Sequence, residues 1–90
     1  MEQFRTIAKR VVESERFLKL SPSARAFYYQ AIMNTDKEGF ACVSELMQKA
    51  KATFVDVVTL INSGFVKSLE FHADVIFIVD WHEHKGGANG

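Results

Sequence analysis

The chain has 90 residues, 48% apolar, 12% aromatic and 24% charged, the composition of one compact soluble domain and not of a disordered tail or a multidomain protein. Eleven basic side chains balance eleven acidic ones, which excludes a global field that would recruit nucleic acid or an anionic membrane. The balance is uneven, with six basic against three acidic groups in residues 1–30 and five against eight in residues 31–90, so any basic face must come largely from the amino-terminal third.

A lone cysteine, Cys42, excludes an intramolecular disulfide and a cysteine-based zinc site, and fits a reducing compartment. The opening residues are not a secretory start, and no apolar run approaches the roughly 20 residues of a membrane-spanning helix. The expectation is a cytoplasmic protein with no membrane partner.

Phe4, Ile7, Ala8, Val11 and Val12 have helical spacing, yet Ile7 to Val12 also reads as a strand, so the opening segment is open between the two. Ser21-Pro22 is a helix start, a capping hydroxyl before a proline whose missing donor costs nothing at the first helical position. The helix is predicted over 22–33, with Ala24, Phe27, Tyr28, Ala31 and Ile32 as its apolar stripe and Arg25, Tyr29 and Gln30 facing elsewhere. A polar loop, Asn34 to Gly39, leads into a short strand, Phe40 to Val43. Ser44 is the expected cap of a short helix to about Ala50. Thr53 caps the next, with Asp56 near the positive end of its dipole and Phe54, Val57, Val58 and Ile61 as its buried seam, ending at Ser63-Gly64. Phe65 to Glu70 and Val75 to Val79 are β-branched or aromatic runs that pair as an antiparallel hairpin around a polar tip, His72-Ala73-Asp74. Residues 86–90, rich in glycine, are expected to be a flexible tail or a linker cut from a longer protein.

The order helix, strand, helix, helix, strand, strand is the skeleton of a winged helix-turn-helix domain over residues 1–85: an α+β fold, mainly α, with a C-terminal antiparallel β-hairpin. In that skeleton the second helix of the pair enters the major groove.

Three other constellations compete for attention. Asn34 to Glu45 imitates a twelve-residue calcium loop, with oxygens at its first, third and fifth positions, glycine at the sixth and glutamate at the twelfth. Asn34 in place of an aspartate, the long Glu38, Ala41 at a normally β-branched position and the missing second loop weaken it, and a polar turn into a strand is the preferred reading. His82 and His84, with His72, Asp80 and Glu83 nearby, invite a metal site on one face of an extended segment, but the spacing is weak and solvated surface histidines are the preferred reading. Cys42 reads as a small buried hydrophobe and Trp81 as a ring closing one end of the core. With no nucleophile elbow, phosphate loop or dinucleotide fingerprint, the reading is a non-enzyme without cofactor or metal.

The residues also resemble a known family, the amino-terminal domain of phage and prophage replisome organisers, which are replication initiation proteins. The likeness runs from Arg5 to Lys85. It rests on the basic opening Arg5 to Leu20, on Ser23-Ala24-Arg25-Ala26-Phe27-Tyr28-Tyr29, on Asp36-Lys37-Glu38-Gly39-Phe40, on Gly64-Phe65-Val66, and on Asp80-Trp81-His82-Glu83-His84. Lys85 stands where the family often has asparagine. The resemblance implies a winged-helix domain that binds double-stranded origin DNA and recruits replication proteins such as a helicase loader in the bacterial host cytoplasm. Related primosomal proteins of the DnaD type use a similar domain for self-association, which makes a protein-interaction or oligomerisation module the alternative and a single calcium binder the third reading.

Phosphate contacts need cationic, hydroxyl or amide donors. The expected donors are Arg5, Lys9, Arg10, Arg16 and Lys19, on condition that the opening segment packs beside the helix pair, with Lys49 and Lys51 as the cations of the pair itself. Thr53, Thr59 and Asn62 line the exposed face of the second helix, where Thr59 and Asn62 would read base edges while Asp56 would repel phosphate. A tip carrying Glu70, His72 and Asp74 is a poor minor-groove probe.

Overall fold

The computed structural model describes residues 6–69 and 72–86. The opening segment is two single helical turns, α1 (Lys9–Val12) and α2 (Glu15–Leu18). Ser14 breaks them apart: its hydroxyl donates to the Val11 carbonyl at 2.8 Å and accepts the Phe17 N–H at 3.2 Å, ending one turn and capping the next. The break lets both turns send one side chain inward, Val11 and Phe17.

The long helix α3 (Pro22–Asn34) begins where Ser21 Oγ accepts the Ala24 N–H at 3.1 Å. It buries Ala24, Phe27, Tyr28, Ala31 and Ile32, the stripe that 3.6-residue periodicity predicts. Strand β1 (Phe40–Cys42) runs straight into α4 (Val43–Ala50), and after the turn 51–53 comes α5 (Phe54–Asn62). The hairpin is β2 (Val66–Leu69) with β3 (His72–Ile78), and a short helix, α6 (Trp81–Gly86), follows it where the sequence suggested an extended segment.

The three strands form one antiparallel sheet in the order β1-β3-β2, with Phe40 opposite Phe77 on one side and Val66 opposite Ile78 on the other. The fold is therefore α+β and mainly helical, with the helices packed on one small sheet. The aromatic centre joins the layers. Phe17, Tyr28 and Phe65 have ring centroids 5.2, 5.5 and 5.6 Å apart in mutually tilted or edge-on pairs, and burying each ring contributes about 2–3 kcal/mol.

Two expectations about the hairpin need correction. His72, Ala73 and Asp74 lie in β3, not at a tip, and Ser44 is not the cap of α4. Both changes have one cause. Asp74 reaches from β3 to the start of α4, where Oδ1 accepts the Ser44 N–H at 3.0 Å and Oδ2 accepts the Ser44 hydroxyl at 2.8 Å and the Cys42 thiol at 2.9 Å. These bonds hold its carboxyl below the usual carboxylate range, the Cys42 bond contributing most. Cys42 is consequently a half-buried hydrogen-bond donor, not a buried hydrophobe.

Trp81 is in the core, and its Nε1–H donates to the Lys37 carbonyl at 3.1 Å. Gly39 passes beneath the indole with φ of 98°, a backbone shape and a clearance suited to glycine. The two terminal histidines part company on α6, His82 exposed and His84 fully buried. An alternating pattern would have placed them together; a helical turn rotates them about 200° apart. Gly86, the first residue of the expected tail, is the last of α6, and residues 87–90 lie outside the described residues.

Candidate nucleic-acid interface

Helix α5 is the element on which the functional reading turns. Thr53 and Asp56 start it as a capping box, the Asp56 carboxylate accepting the Thr53 N–H at 3.0 Å. The other Asp56 oxygen accepts hydroxyl bonds from Ser23 at 2.9 Å and Ser21 at 3.3 Å, at the start of α3. Asp56 is therefore buried, and these bonds, the one from Thr53 foremost, hold its carboxyl below the usual range. The sequence placed Asp56 on the exposed face, where it would repel phosphate; the structure turns it inward because the α3 serines supply partners.

That anchor sets the rotation of the helix. At about 100° per residue, an inward Asp56 brings Val57 and Leu60 with it, and these are the buried apolar residues of α5. Phe54, Val55 and Val58 face solvent, at 66, 70 and 37% exposure. The expected seam of Phe54, Val57, Val58 and Ile61 is thus wrong at Phe54 and Val58, and Ile61 is only partly buried. Asn62 is exposed and Thr59 half-buried on the same outward side. The Thr59 hydroxyl donates to the Val55 carbonyl of its own helix at 2.9 Å, so its proton is engaged within α5.

Cations stand at both ends of α5. Lys51, exposed, occupies the left-handed position that ends α4, at φ 53° and ψ 39°, just ahead of the exposed cap Thr53. At the other end Arg16 of α2 donates from Nη1 to the Ser63 carbonyl at 2.9 Å, its guanidinium 4.4 Å from the centre of the Phe65 ring. Arg16 thereby ties the opening segment to the end of α5, a contact that spacing in the chain does not reveal.

Of the other expected phosphate donors, Arg10 and Lys49 have oxygen partners of their own. Arg10 pairs with Glu83 of α6 through Nη2 at 2.7 Å and Nε at 2.9 Å, and Lys9 is exposed beside it on α1. Lys49 turns to the end of α3, with Nζ 2.6 Å from Asn34 Oδ1 and 3.5 Å from Glu45 Oε2. The Arg10–Glu83 contacts, with the Ala8 N–H donating to His84 Nδ1, draw α1 toward α6. Arg5 lies outside the described residues.

The calcium-like loop is internally engaged. Asn34 Oδ1 faces the Lys49 ammonium, and Asp36 Oδ1 accepts the Glu38 and Phe40 N–H groups at 2.8 and 3.1 Å, a turn that delivers the chain into β1. Glu45 sits on α4 next to Lys49. Among the described residues no three His, Cys, Asp or Glu side chains converge as a metal site, and no helix is long and apolar enough to cross a membrane.

Chemically, the arrangement offers a nine-residue helix whose outward face is apolar with one amide, whose only carboxylate is turned inward, and whose ends carry Lys51 and Arg16. Set against protein-family models, curated proteins and solved structures, the chain matches none.

Proposed function

We propose that the chain is a non-catalytic winged-helix module that binds double-stranded DNA, the amino-terminal domain of a phage or prophage replication initiation protein acting in the host cytoplasm. Support comes from the element order, from the β1-β3-β2 sheet and from the three-residue turn that presents α5 after α4. The observation that carries the reading is the inward turn of Asp56, which leaves the outer face of α5 without a carboxylate and between two cations. Lys51, Arg16 and Lys9 are the phosphate donors on this reading, with Arg10 available only by giving up Glu83. Three contacts imply weak binding by the isolated domain, strengthened in a parent protein by self-association and by partners such as a helicase loader.

Titrating a labelled duplex at about 50 and 200 mM salt tests this, since roughly three phosphate contacts predict a loss of about 40-fold across that range. Absence of binding at the lower salt would overturn it.

A second reading, a protein-interaction or oligomerisation module, is favoured by the exposure of Phe54 and Val55, large for apolar side chains on one helix. Sedimentation separates the two: a stable dimer indifferent to duplex supports assembly, and a monomer shifted by duplex supports DNA recognition.

A further inference from the structure

We infer that α5 reads A·T base pairs in the major groove, through thymine methyl groups and an adenine edge; this rests on the DNA-binding reading above. In the major groove guanine shows two acceptors and calls for arginine or lysine, cytosine shows an amino donor and calls for a carboxylate, adenine suits an amide, and thymine offers a methyl group to apolar side chains.

Between Phe54 and Asn62 there is no arginine or lysine, so the helix has no guanine reader. Its one carboxylate, Asp56, is buried and bonded to Thr53, Ser21 and Ser23, so it has no cytosine reader either. The outward side holds Phe54, Val55 and Val58, which suit thymine methyls, and Asn62, whose amide can donate to adenine N7 while accepting from its amino group. Thr59, half-buried on the same side, adds no free hydroxyl donor, because its proton is committed to Val55. Against a G·C pair the same apolar face would strip water from donors and acceptors and return nothing. Lys51 and Arg16, at the two ends of α5, contact phosphate regardless of sequence and set affinity, not preference.

The test uses the whole chain and three duplexes of equal length, so that the phosphate contribution is common to all: mixed A·T sequence without A-tracts, G·C sequence, and the A·T duplex with uracil in place of thymine. Fluorescence anisotropy at low salt should give the A·T duplex at least roughly tenfold tighter than the G·C duplex, and the uracil duplex several-fold weaker than its thymine counterpart. Asn62→Ala and Val55→Ala, both at exposed positions that leave folding intact by circular dichroism, should each reduce the A·T preference while keeping G·C affinity. Equal affinity for all three duplexes overturns the inference and leaves DNA binding standing. An A·T preference that ignores the missing methyl also overturns it, by placing the contact elsewhere than on this face. Failure to bind any duplex overturns both, and self-association lost in Val55→Ala would then assign the face to a protein contact.

Discussion

His84 Nε2 lies 2.8 Å from the Tyr28 hydroxyl, and the other ring nitrogen, Nδ1, accepts the Ala8 N–H at 2.8 Å. Because a backbone N–H can only donate, Nδ1 carries no proton; the ring is the neutral Nε2–H tautomer, donating to Tyr28. The Thr6 hydroxyl also donates to the His84 carbonyl. One histidine thus fastens the opening segment, α3 and α6 to each other.

This clasp should make stability depend on pH. Burial lowers the His84 pKa below its ordinary 6.5, against the opposing pull of Asp80 and Glu83, while burial pushes the Tyr28 hydroxyl upward. A folded state that refuses a proton the unfolded chain accepts is fully stable above about pH 6.5 and loses up to about 1.4 kcal/mol per pH unit below it. Urea unfolding midpoints at about pH 7.5 and 5.5 should therefore differ, and His84→Leu should abolish most of that difference while lowering the midpoint at both.

Asp56 gives a second pH window, lower and of the opposite charge type. Its depressed pKa means that its contribution is present above the ordinary carboxylate value near 3.8 and disappears as pH falls through the folded value. Asp56→Ala leaves the Thr53 N–H and two serine hydroxyls without their acceptor and should cost about 1–2 kcal/mol at neutral pH in chemical denaturation.

Gly39 should tolerate no side chain. A Cβ there would lie 2.7 Å from Trp81 Cγ and 3.0 Å from Phe77 Cε1, on a backbone with φ of 98°. Gly39→Ala combines overpacking with a left-handed strain and should destabilise by about 2–4 kcal/mol in thermal unfolding, with tryptophan fluorescence reporting the displaced indole.

Much of the architecture was legible from neighbours in the chain. The stripe of α3 emerged because five buried positions repeat at helical spacing, and the caps at Ser21 and Thr53 because each acts within three residues of itself. Thr59 and Asn62 were legible on the outward side of α5, but the apolar residues beside them and the inward turn of Asp56 were not. Six of the nine residues of α5 are apolar, so periodicity alone admits several rotations, and the choice fell to a carboxylate meeting serines more than thirty positions earlier. The partners of the basic side chains were not legible either, because Arg10 and Lys49 each turn to an oxygen supplied by another element.

The amino-acid sequence by itself determined the helical or extended character and the order of the segments from α3 through the hairpin strands, though not of the opening turns, the hairpin tip or α6, because those preferences are set by contacts within about four residues. Tertiary structure decided what each segment shows to the outside. Asp74 became a helix cap 30 residues from Ser44, and His84 a core residue 56 residues from Tyr28, since a buried polar group takes whichever partner packing brings within reach.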